Sequence, residues 1–372
     1  MIYLDNAATT KPCAEAVRAA AECAEMCFGN PSSLHKMGIE AEKALLKTKS
    51  VILQRLGKEG ELYFTSGATE SNNLAIFGTA NALKRRGNRV VTTAIEHPSV
   101  AEPMKKLREQ GFEVVELKPC EHSDFEQAII DAADDKTILV SCMAVNNETG
   151  FIIDTKRVYN GVKKRFPKCV VHVDGVQGFC KVPISADLIS LSAHKIHGLK
   201  GVGALYKSKE VRVLPTVYGG GQQGGLRSGT EPVELIAAFG AAVRAYPEDL
   251  SCFSELNEHL LQLLGGLEGV TVNTQNTKNT KNSRNSVPNI VNFSVKGVRS
   301  EIMLHFLEER DIYVSSGSAC SRGKVSPVLS ALGFSAAEAD SAIRVSFCRD
   351  NTKEEIDLLA EGISDGIKRF RR

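Results

Sequence analysis

Between residues 61 and 206 the chain alternates short apolar, β-branched runs with longer segments whose apolar residues recur at helical spacing. The candidate strands are 61–65, 89–95, 113–117, 137–145, 169–174, 186–192 and 202–206, and the candidate helices are 70–86, 98–110, 123–133 and 154–165. Strands that alternate with helices are typical of an α/β domain built on a mainly parallel sheet. We therefore expect a seven-stranded, mainly parallel sheet.

The pattern changes near residue 249. A predicted helix at 231–246 closes the first part, and the elements that follow are a helix near 252–267, strands near 290–295, 311–315 and 342–347, and a final helix. The final helix begins with a capping box formed by Thr352 and Glu355. This mixed order predicts a smaller α+β domain. We expect the large domain to span 16–248, and the small domain to combine 1–15 with 249–372.

Length and composition are consistent with two domains and exclude several classes of protein. The chain has 372 residues, 42% of them hydrophobic and 24% charged, and a net charge of +2, which provides no electrostatic basis for binding nucleic acid or an acidic membrane. It has no signal-peptide pattern and no apolar run of about 18 residues. Its ten cysteines are scattered, without the CxxC pairs of a metal site. We expect a cytoplasmic protein without a metal.

Polar residues follow most of the predicted strands. In an open α/β sheet, ligands bind beyond the carboxyl ends of the strands. The residues found there include Thr69 at a helix start, His97, Asn147, Asp174 with Gln177, and the group Ser192, His194 and Lys195. Each alone has an ordinary structural explanation, as a cap, a turn residue or a loop histidine. Together they supply an anion site, an aromatic ring, an acid and an amine, which are the groups that bind pyridoxal 5′-phosphate (PLP).

The sequence contains one nucleotide-binding pattern, in an unfavourable context, and lacks another. The segment GGGQQG at 219–224 fits the dinucleotide pattern G-x-G-x-x-G, but it comes late in the domain and precedes a poor helix start. The P-loop pattern G-x-x-x-x-G-K-[ST] does not occur. The glycines of 219–224 are better explained by a loop that comes close to a ligand or a partner subunit.

Motifs along the whole chain resemble those of NifS/IscS-type cysteine desulfurases, which are PLP-dependent members of the class V aminotransferase group. The matching motifs, in order, are YLDNAATT, FGNPSS, FTSGATESNNLAI, EHPSV, VNNETG, VDGVQ, SAHKIHGLKGVGALY, GGGQQGGLRSGT, SSGSAC and IRVSF. The resemblance implies PLP-dependent transferase fold type I and a homodimer.

The resemblance also implies a role for each matching residue. Lys195 would bind the cofactor covalently, His97 would stack on its ring, and Asp174 would pair with the ring nitrogen. Gln177 and Asn147 would bind the phenolic oxygen, with Asn147 also near the substrate, and Arg344 would bind the substrate carboxylate. The residues implied to hold the phosphate are Ala68, Thr69, Ser192, His194 and, from the second subunit, Thr230.

The implied reaction converts L-cysteine to L-alanine and leaves the sulfur on Cys320 as a persulfide. A protein acceptor, such as an iron–sulfur scaffold protein or a thiolation enzyme, would then receive it. Arg322 and Lys324 either favour the thiolate of Cys320 or are solvated surface charges. The alternatives are a selenocysteine lyase, another class V enzyme such as a small-amino-acid aminotransferase, and an inactive scaffold for sulfur transfer.

The chain departs from the family pattern in three places. It has Leu199 where the family commonly has proline and His197 where it commonly has an aromatic residue. The segment that follows Cys320 is about two residues shorter than in well-known relatives. Cys348 lies near Arg344 in the sequence, and it is either a second redox-active thiol or a packed side chain.

Overall fold

A computed structural model describes residues 1–274, 286–316 and 326–371. The chain begins with strand β1 (Ile2–Tyr3), helix α1 (Ala14–Met26) and helix α2 (Lys36–Leu56). The sequence pattern did not predict α1 or α2. Helix α2 begins at the His35 N-cap, whose imidazole accepts a hydrogen bond from the Gly38 N–H. It ends at Gly57, which adopts the left-handed conformation that favours glycine at a helix C-terminus.

The predicted alternation of strands and helices follows. In chain order the elements are β2 (Glu61–Thr65), α3 (Ala68–Leu83), β3 (Arg89–Thr93), α4 (Pro98–Glu109), β4 (Glu113–Leu117), α5 (Phe125–Asp131), β5 (Thr137–Met143), α6 (Thr155–Arg165), β6 (Val170–Asp174), β7 (Leu188–Ser192) and β8 (Gly203–Lys207). These bounds differ from the predicted ones by a few residues at most.

Strands β2 to β8 form one seven-stranded sheet in the order β2-β8-β7-β6-β5-β3-β4. Strand β8 runs antiparallel to both of its neighbours, and the other neighbouring pairs are parallel. The six strands other than β8 therefore end at the same edge. Strands β5, β6 and β7 are buried along their whole length, as expected for parallel strands covered on both faces. The prediction of a mainly parallel seven-stranded sheet is confirmed.

The rest of the described chain contains helices and short strands in mixed order. Its elements are α7 (Val233–Ala245), α8 (Ser251–Gly265), β9 (Val270–Val272), β10 (Ile290–Val295), α9 (Ser300–Glu308), β11 (Ile312–Tyr313), β12 (Ser315–Ser316), α10 (Pro327–Ala331), α11 (Ala336–Asp340), β13 (Ala342–Ser346) and α12 (Lys353–Phe370). Four of the strands form an antiparallel sheet in the order β12-β13-β10-β9. The capping box of Thr352 and Glu355 is present at the start of α12.

The first residues of the chain pack against this second sheet. Strand β1 pairs in parallel with β11, and the Ser346 N–H donates to the Leu4 carbonyl at 2.7 Å. Leu4 is fully buried in a hydrophobic cluster with residues such as Phe293 and Ile343. These contacts agree with grouping 1–15 with the C-terminal part, although the exact domain limits stay a prediction. In the described residues, no helix has the length and apolarity needed to span a membrane.

Candidate active site

A cavity of ≈ 830 Å³ lies at the edge of the seven-stranded sheet where the parallel strands end. Among its lining residues are ten of the predicted site residues, namely Ala68, Thr69, His97, Asn147, Asp174, Gln177, Ser192, His194, Lys195 and Arg344. Thr230 does not line this cavity and is exposed on the chain surface. Cys320, Arg322 and Lys324 lie outside the described residues.

Lys195 ends a short 3-10 turn, Ala193–Lys195, that directly follows β7. Its Nζ donates hydrogen bonds to the carbonyls of Ala7 and Ala8, each at 2.6 Å. Burial lowers the pKa of Lys195 to about 8, and the nearby cations of Arg344 and Lys181 act in the same direction. At a pKa of about 8, roughly a tenth of this amine is unprotonated at pH 7, far more than for an ordinary lysine, which favours a nucleophilic role.

Asp174 is the last residue of β6, and 5% of it is exposed. Its Oδ1 accepts a hydrogen bond from the Val176 N–H at 3.0 Å, and its Oδ2 accepts one from the Asn72 amide at 2.9 Å. Hydrogen bonds from an amide and a backbone N–H stabilise the ionised carboxylate. The cavity thus contains a fixed acceptor that fits a protonated ring nitrogen.

His97 is the N-cap of α4, where its Nδ1 accepts from the Ser99 N–H at 3.1 Å. The ring is open to the cavity, yet the surrounding protein limits its hydration. This partial desolvation of the ring lowers the pKa of His97. The Asp174 carboxylate opposes the shift, and the Lys195 ammonium adds to it. The imidazole is therefore neutral near pH 7 and available to stack on a flat ring.

Arg344 enters the cavity from β13, in the second sheet. Its Nη2 pairs with Asp5 Oδ1 at 2.6 Å, and its Nη1 donates to the Asn147 carbonyl at 3.0 Å. The Nε is buried and has no partner among the described residues. Because a guanidinium binds a carboxylate through two N–H groups, this arrangement fits a carboxylate ligand.

The N-terminus of α3 supplies the candidate anion site. Ala68 and Thr69 occupy its first turn, and the backbone N–H groups there favour negative charge. In the turn after β7, burial lowers the pKa of His194 to about 4, and Lys195 and Lys200 add to the shift. Neutral His194 bonds to Thr9 Oγ1 at 3.1 Å. Gln177 donates to the Ala7 carbonyl at 2.9 Å, so the N-terminal segment supports this side too.

Five glutamates that line the cavity were not among the predicted site residues, and burial raises the pKa of two of them, Glu96 and Glu148. Glu96 is buried beside His97, where burial raises its pKa to about 8. Glu148 accepts a hydrogen bond from Ser326 Oγ at 2.6 Å, and burial raises its pKa to about 7. Both follow candidate strands, so the strand-end argument points to them, but the sequence shows neither their burial nor their partners.

The residues that depart from the family pattern lie away from the Lys195 amine. His197 has a φ of 64°, and its Nδ1 bonds to the Lys11 carbonyl at 2.9 Å. Leu199 packs against a small alanine cluster that contains Ala16 and Ala238. Cys348 does not line the cavity, and burial raises the pKa of its thiol, which favours the packed interpretation over a reactive thiolate.

A family model for class-V aminotransferases matches residues 2–359 of the chain. A "NifS/IcsS protein homolog" of Lactobacillus delbrueckii subsp. bulgaricus is 38% identical, with 100% of this chain and 98% of the relative covered. A "Cysteine desulfurase IscS" of Neisseria meningitidis serogroup C is also 38% identical, with 100% of this chain and 93% of that protein covered.

Among solved structures, a "NIFS-LIKE PROTEIN" superposes with a TM-score of 0.90 at 35% identity and covers 99% of both chains. The chain therefore belongs to the class-V aminotransferase family and, within it, to the NifS/IscS-type cysteine desulfurases.

Proposed function

We propose that the protein is a PLP-dependent cysteine desulfurase that converts L-cysteine to L-alanine and transfers the sulfur to Cys320 as a persulfide. The observation that carries the proposal is the amine of Lys195, with a pKa of about 8, in one cavity with Asp174 and Arg344. The sequences of the relatives named above support the same activity.

The donor set of the cavity fits PLP. Asp174 would pair with the pyridine nitrogen, His97 would cover one ring face, and Gln177 and Asn147 would bind the phenolic oxygen. The α3 N-terminus with Ala68 and Thr69, together with Ser192 and His194, would hold the phosphate. When bound, PLP supplies an electron sink that withdraws electrons from the substrate Cα.

The chain's own residues then bind the substrate and move its protons. Arg344 binds the substrate carboxylate through its guanidinium N–H groups, and this fixes the substrate Cα relative to Lys195. The Lys195 amine would act as the base that takes the proton from the substrate Cα. The Cys320 thiolate attacks the substrate sulfur, so that an S–S bond forms as the Cβ–Sγ bond breaks. The products are L-alanine and a persulfide on Cys320.

The homodimer and the sulfur acceptor are also parts of the proposal. Thr230 is exposed in the single chain, as expected of a residue that completes the phosphate site of a second subunit. The persulfide would pass to an acceptor protein, such as an iron–sulfur scaffold protein or a thiolation enzyme. The cytoplasm is the expected compartment.

The test is the release of alanine and sulfide from L-cysteine in the presence of a reductant, compared with release from L-selenocysteine. Lys195→Ala is expected to abolish turnover and the visible colour of the bound cofactor. Cys320→Ser is expected to keep the colour but lose turnover, whereas Cys348→Ser serves as the matched thiol control and is expected to keep both. Full turnover by Cys320→Ser, or a wild-type protein that binds no PLP, would contradict the proposal. Activity with selenocysteine alone would instead favour a selenocysteine lyase.

A further inference from the structure

Asn72 of α3 is a fully buried amide that joins two residues of the cavity. Its Nδ2 donates one hydrogen to Asp174 Oδ2 at 2.9 Å and the other to Ser99 Oγ at 2.8 Å. The orientation of this amide is dictated by its neighbour, because a carboxylate accepts hydrogen bonds and would repel the amide oxygen. Both N–H groups of Asn72 are therefore in use.

This orientation fixes the direction of the next hydrogen bond. Ser99 Oγ accepts from Asn72, so its own hydrogen is free to point at His97 Nδ1, 2.8 Å away. The Ser99 N–H donates to the same Nδ1 at 3.1 Å. With two donors aimed at it, Nδ1 acts as an acceptor, and the ring proton of the neutral imidazole resides on Nε2.

The amide oxygen of Asn72 indicates that this geometry has a cost. Asn72 Oδ1 is buried and has no hydrogen-bond partner among the described residues. Such an unsatisfied acceptor is rare in folded proteins and is unfavourable for stability. Both amide hydrogens bond to Asp174 and Ser99, although the oxygen then has no partner among the described residues. This arrangement is consistent with a role in orienting the site.

We propose that Asn72 is a positioning residue that, through Ser99, holds His97 as the neutral tautomer with its proton on Nε2, while the same amide orients the Asp174 carboxylate. The role in catalysis rests on the proposed function, but the tautomer itself does not depend on a bound cofactor. The charged or titratable groups that influence His97 are Asp174 of β6 and Lys195 after β7, with Glu96 adjacent in the chain.

The first measurement is made on the full-length protein without cofactor. With 15N-labelled histidine, long-range 1H–15N spectra report which ring nitrogen carries the proton, and a His97→Gln variant assigns the signal among the eight histidines. Wild type is expected to show an unprotonated Nδ1 and a protonated Nε2. In Asn72→Leu the Ser99 hydroxyl is free to accept, so the pKa of His97 is expected to rise by about half a unit or more, with a population protonated at Nδ1.

Two further variants complete the test. Asn73→Leu is the matched control, since the neighbouring Asn73 amide donates to the Thr69 carbonyl and has no hydrogen bond to His97, Ser99 or Asp174 among the described residues, and it is expected to leave His97 unchanged. Ser99→Ala removes one of the two donors to His97 Nδ1, so it is expected to raise the pKa of His97 by a smaller amount. This variant tests the proposal by itself if Asn72→Leu does not fold. A wild-type signal with the proton on Nδ1, or unchanged His97 titration in Asn72→Leu and Ser99→Ala, would overturn the proposal.

A second measurement separates this proposal from the proposed function. In the PLP-loaded protein, Asn72→Leu is expected to lower kcat for alanine release, with little change in KM for L-cysteine, because Asn72 does not contact Arg344. If wild type shows the predicted tautomer but no desulfurase turnover, the proposed function fails and the positioning role of Asn72 stands. A normal kcat in Asn72→Leu despite an altered tautomer would contradict its importance for the reaction.

Discussion

At the scale of single residues, the cavity places Lys195 and Arg344 in one electrostatic environment. Burial is the main cause of the lowered pKa of Lys195, Arg344 adds to the shift, and Asp5 and Asp174 oppose it. Arg344 is itself held between Asp5 and the Asn147 carbonyl, so its position is fixed from two sides. The Arg344 guanidinium can thus bind an anionic substrate and also favour the unprotonated form of Lys195.

Arg344→Lys is predicted to weaken substrate binding. Lysine keeps the charge but loses the planar pair of N–H groups. Since hydrogen bonds to charged groups are worth about 1.5–3 kcal/mol, KM for L-cysteine is expected to rise by about 10- to 100-fold. Steady-state alanine release measures this change. Arg349→Lys, which alters an arginine outside the cavity, is the control and is expected to keep the wild-type KM.

The lowered pKa of Lys195 predicts how fast the cofactor-free protein binds PLP covalently at different pH values. Only the unprotonated amine reacts, so the rate is expected to rise with pH and to level off above about 8. Reductive trapping with cyanoborohydride followed by peptide mass spectrometry measures modification at Lys195, with a short lysine peptide as reference. A rate that keeps rising in parallel with the reference peptide up to about pH 10 would refute the lowered pKa.

At the scale of elements, strand β8 supports the start of α3. Gly203 pairs with Thr65 of β2, and a Cβ added at Gly203 would lie 2.6 Å from the Leu191 carbonyl oxygen of β7 and 2.7 Å from the Gly67 carbonyl carbon. The backbone that precedes α3 therefore packs directly on a position without a side chain. The candidate anion site depends on this close approach.

Gly203→Ala is predicted to disturb both the fold and the cofactor site. The added methyl group would meet the backbone of both Gly67 and Leu191, which must shift, and overpacking of this kind costs about 1–3 kcal/mol. Urea unfolding is expected to show this loss, and titration with PLP is expected to show weaker binding. Gly265→Ala is the control, because a Cβ there meets no atom within 4 Å. Equal PLP affinities in wild type and Gly203→Ala would refute this link between β8 and the anion site.

Much of the cavity was predictable because parallel strands end at one edge, so that His97, Asp174 and Lys195 meet there whatever the details of packing. The residues that orient these three side chains were not predictable. Asn72 reaches Asp174 across 102 positions of the sequence, and Asp5 reaches Arg344 across 339. Such contacts depend on how separate elements pack, which hydrophobic periodicity does not encode. Helices α1 and α2 were also missed, although both are amphipathic and pack against α7.

At the scale of the whole molecule, Thr230 is the residue through which the proposed homodimer can be tested. It is exposed and lies outside the cavity, whereas its neighbour Arg227 is anchored by Glu70 at 2.8 Å, near the start of α3. The segment that carries Thr230 is therefore held near the start of α3, while Thr230 itself lies outside the cavity. A second subunit is the expected recipient.

Mixed dimers test this arrangement. Lys195→Ala and Thr230→Ala are each expected to lower activity when purified alone. If Thr230 acts in the partner's site, a dimer of the two variants has one site with both wild-type residues, and activity returns on subunit exchange. If Thr230 acts within its own chain, mixing restores nothing, because each site keeps one defect. In the control mixture, Thr149→Ala replaces Thr230→Ala. Thr149 is a buried threonine that does not line the cavity.

The N-terminal segment has a consequence for how the protein is made. Asp5 contacts Arg344, and the carbonyls of Ala7 and Ala8 accept hydrogen bonds from Lys195, so this segment contacts residues that are synthesised much later. Contacts of such high sequence separation form late in folding. The cavity is therefore complete only after residue 344 has been synthesised and β13 has formed. A nascent chain that ends before β13 already carries Lys195 but lacks the Arg344 guanidinium, the group proposed to bind the substrate carboxylate.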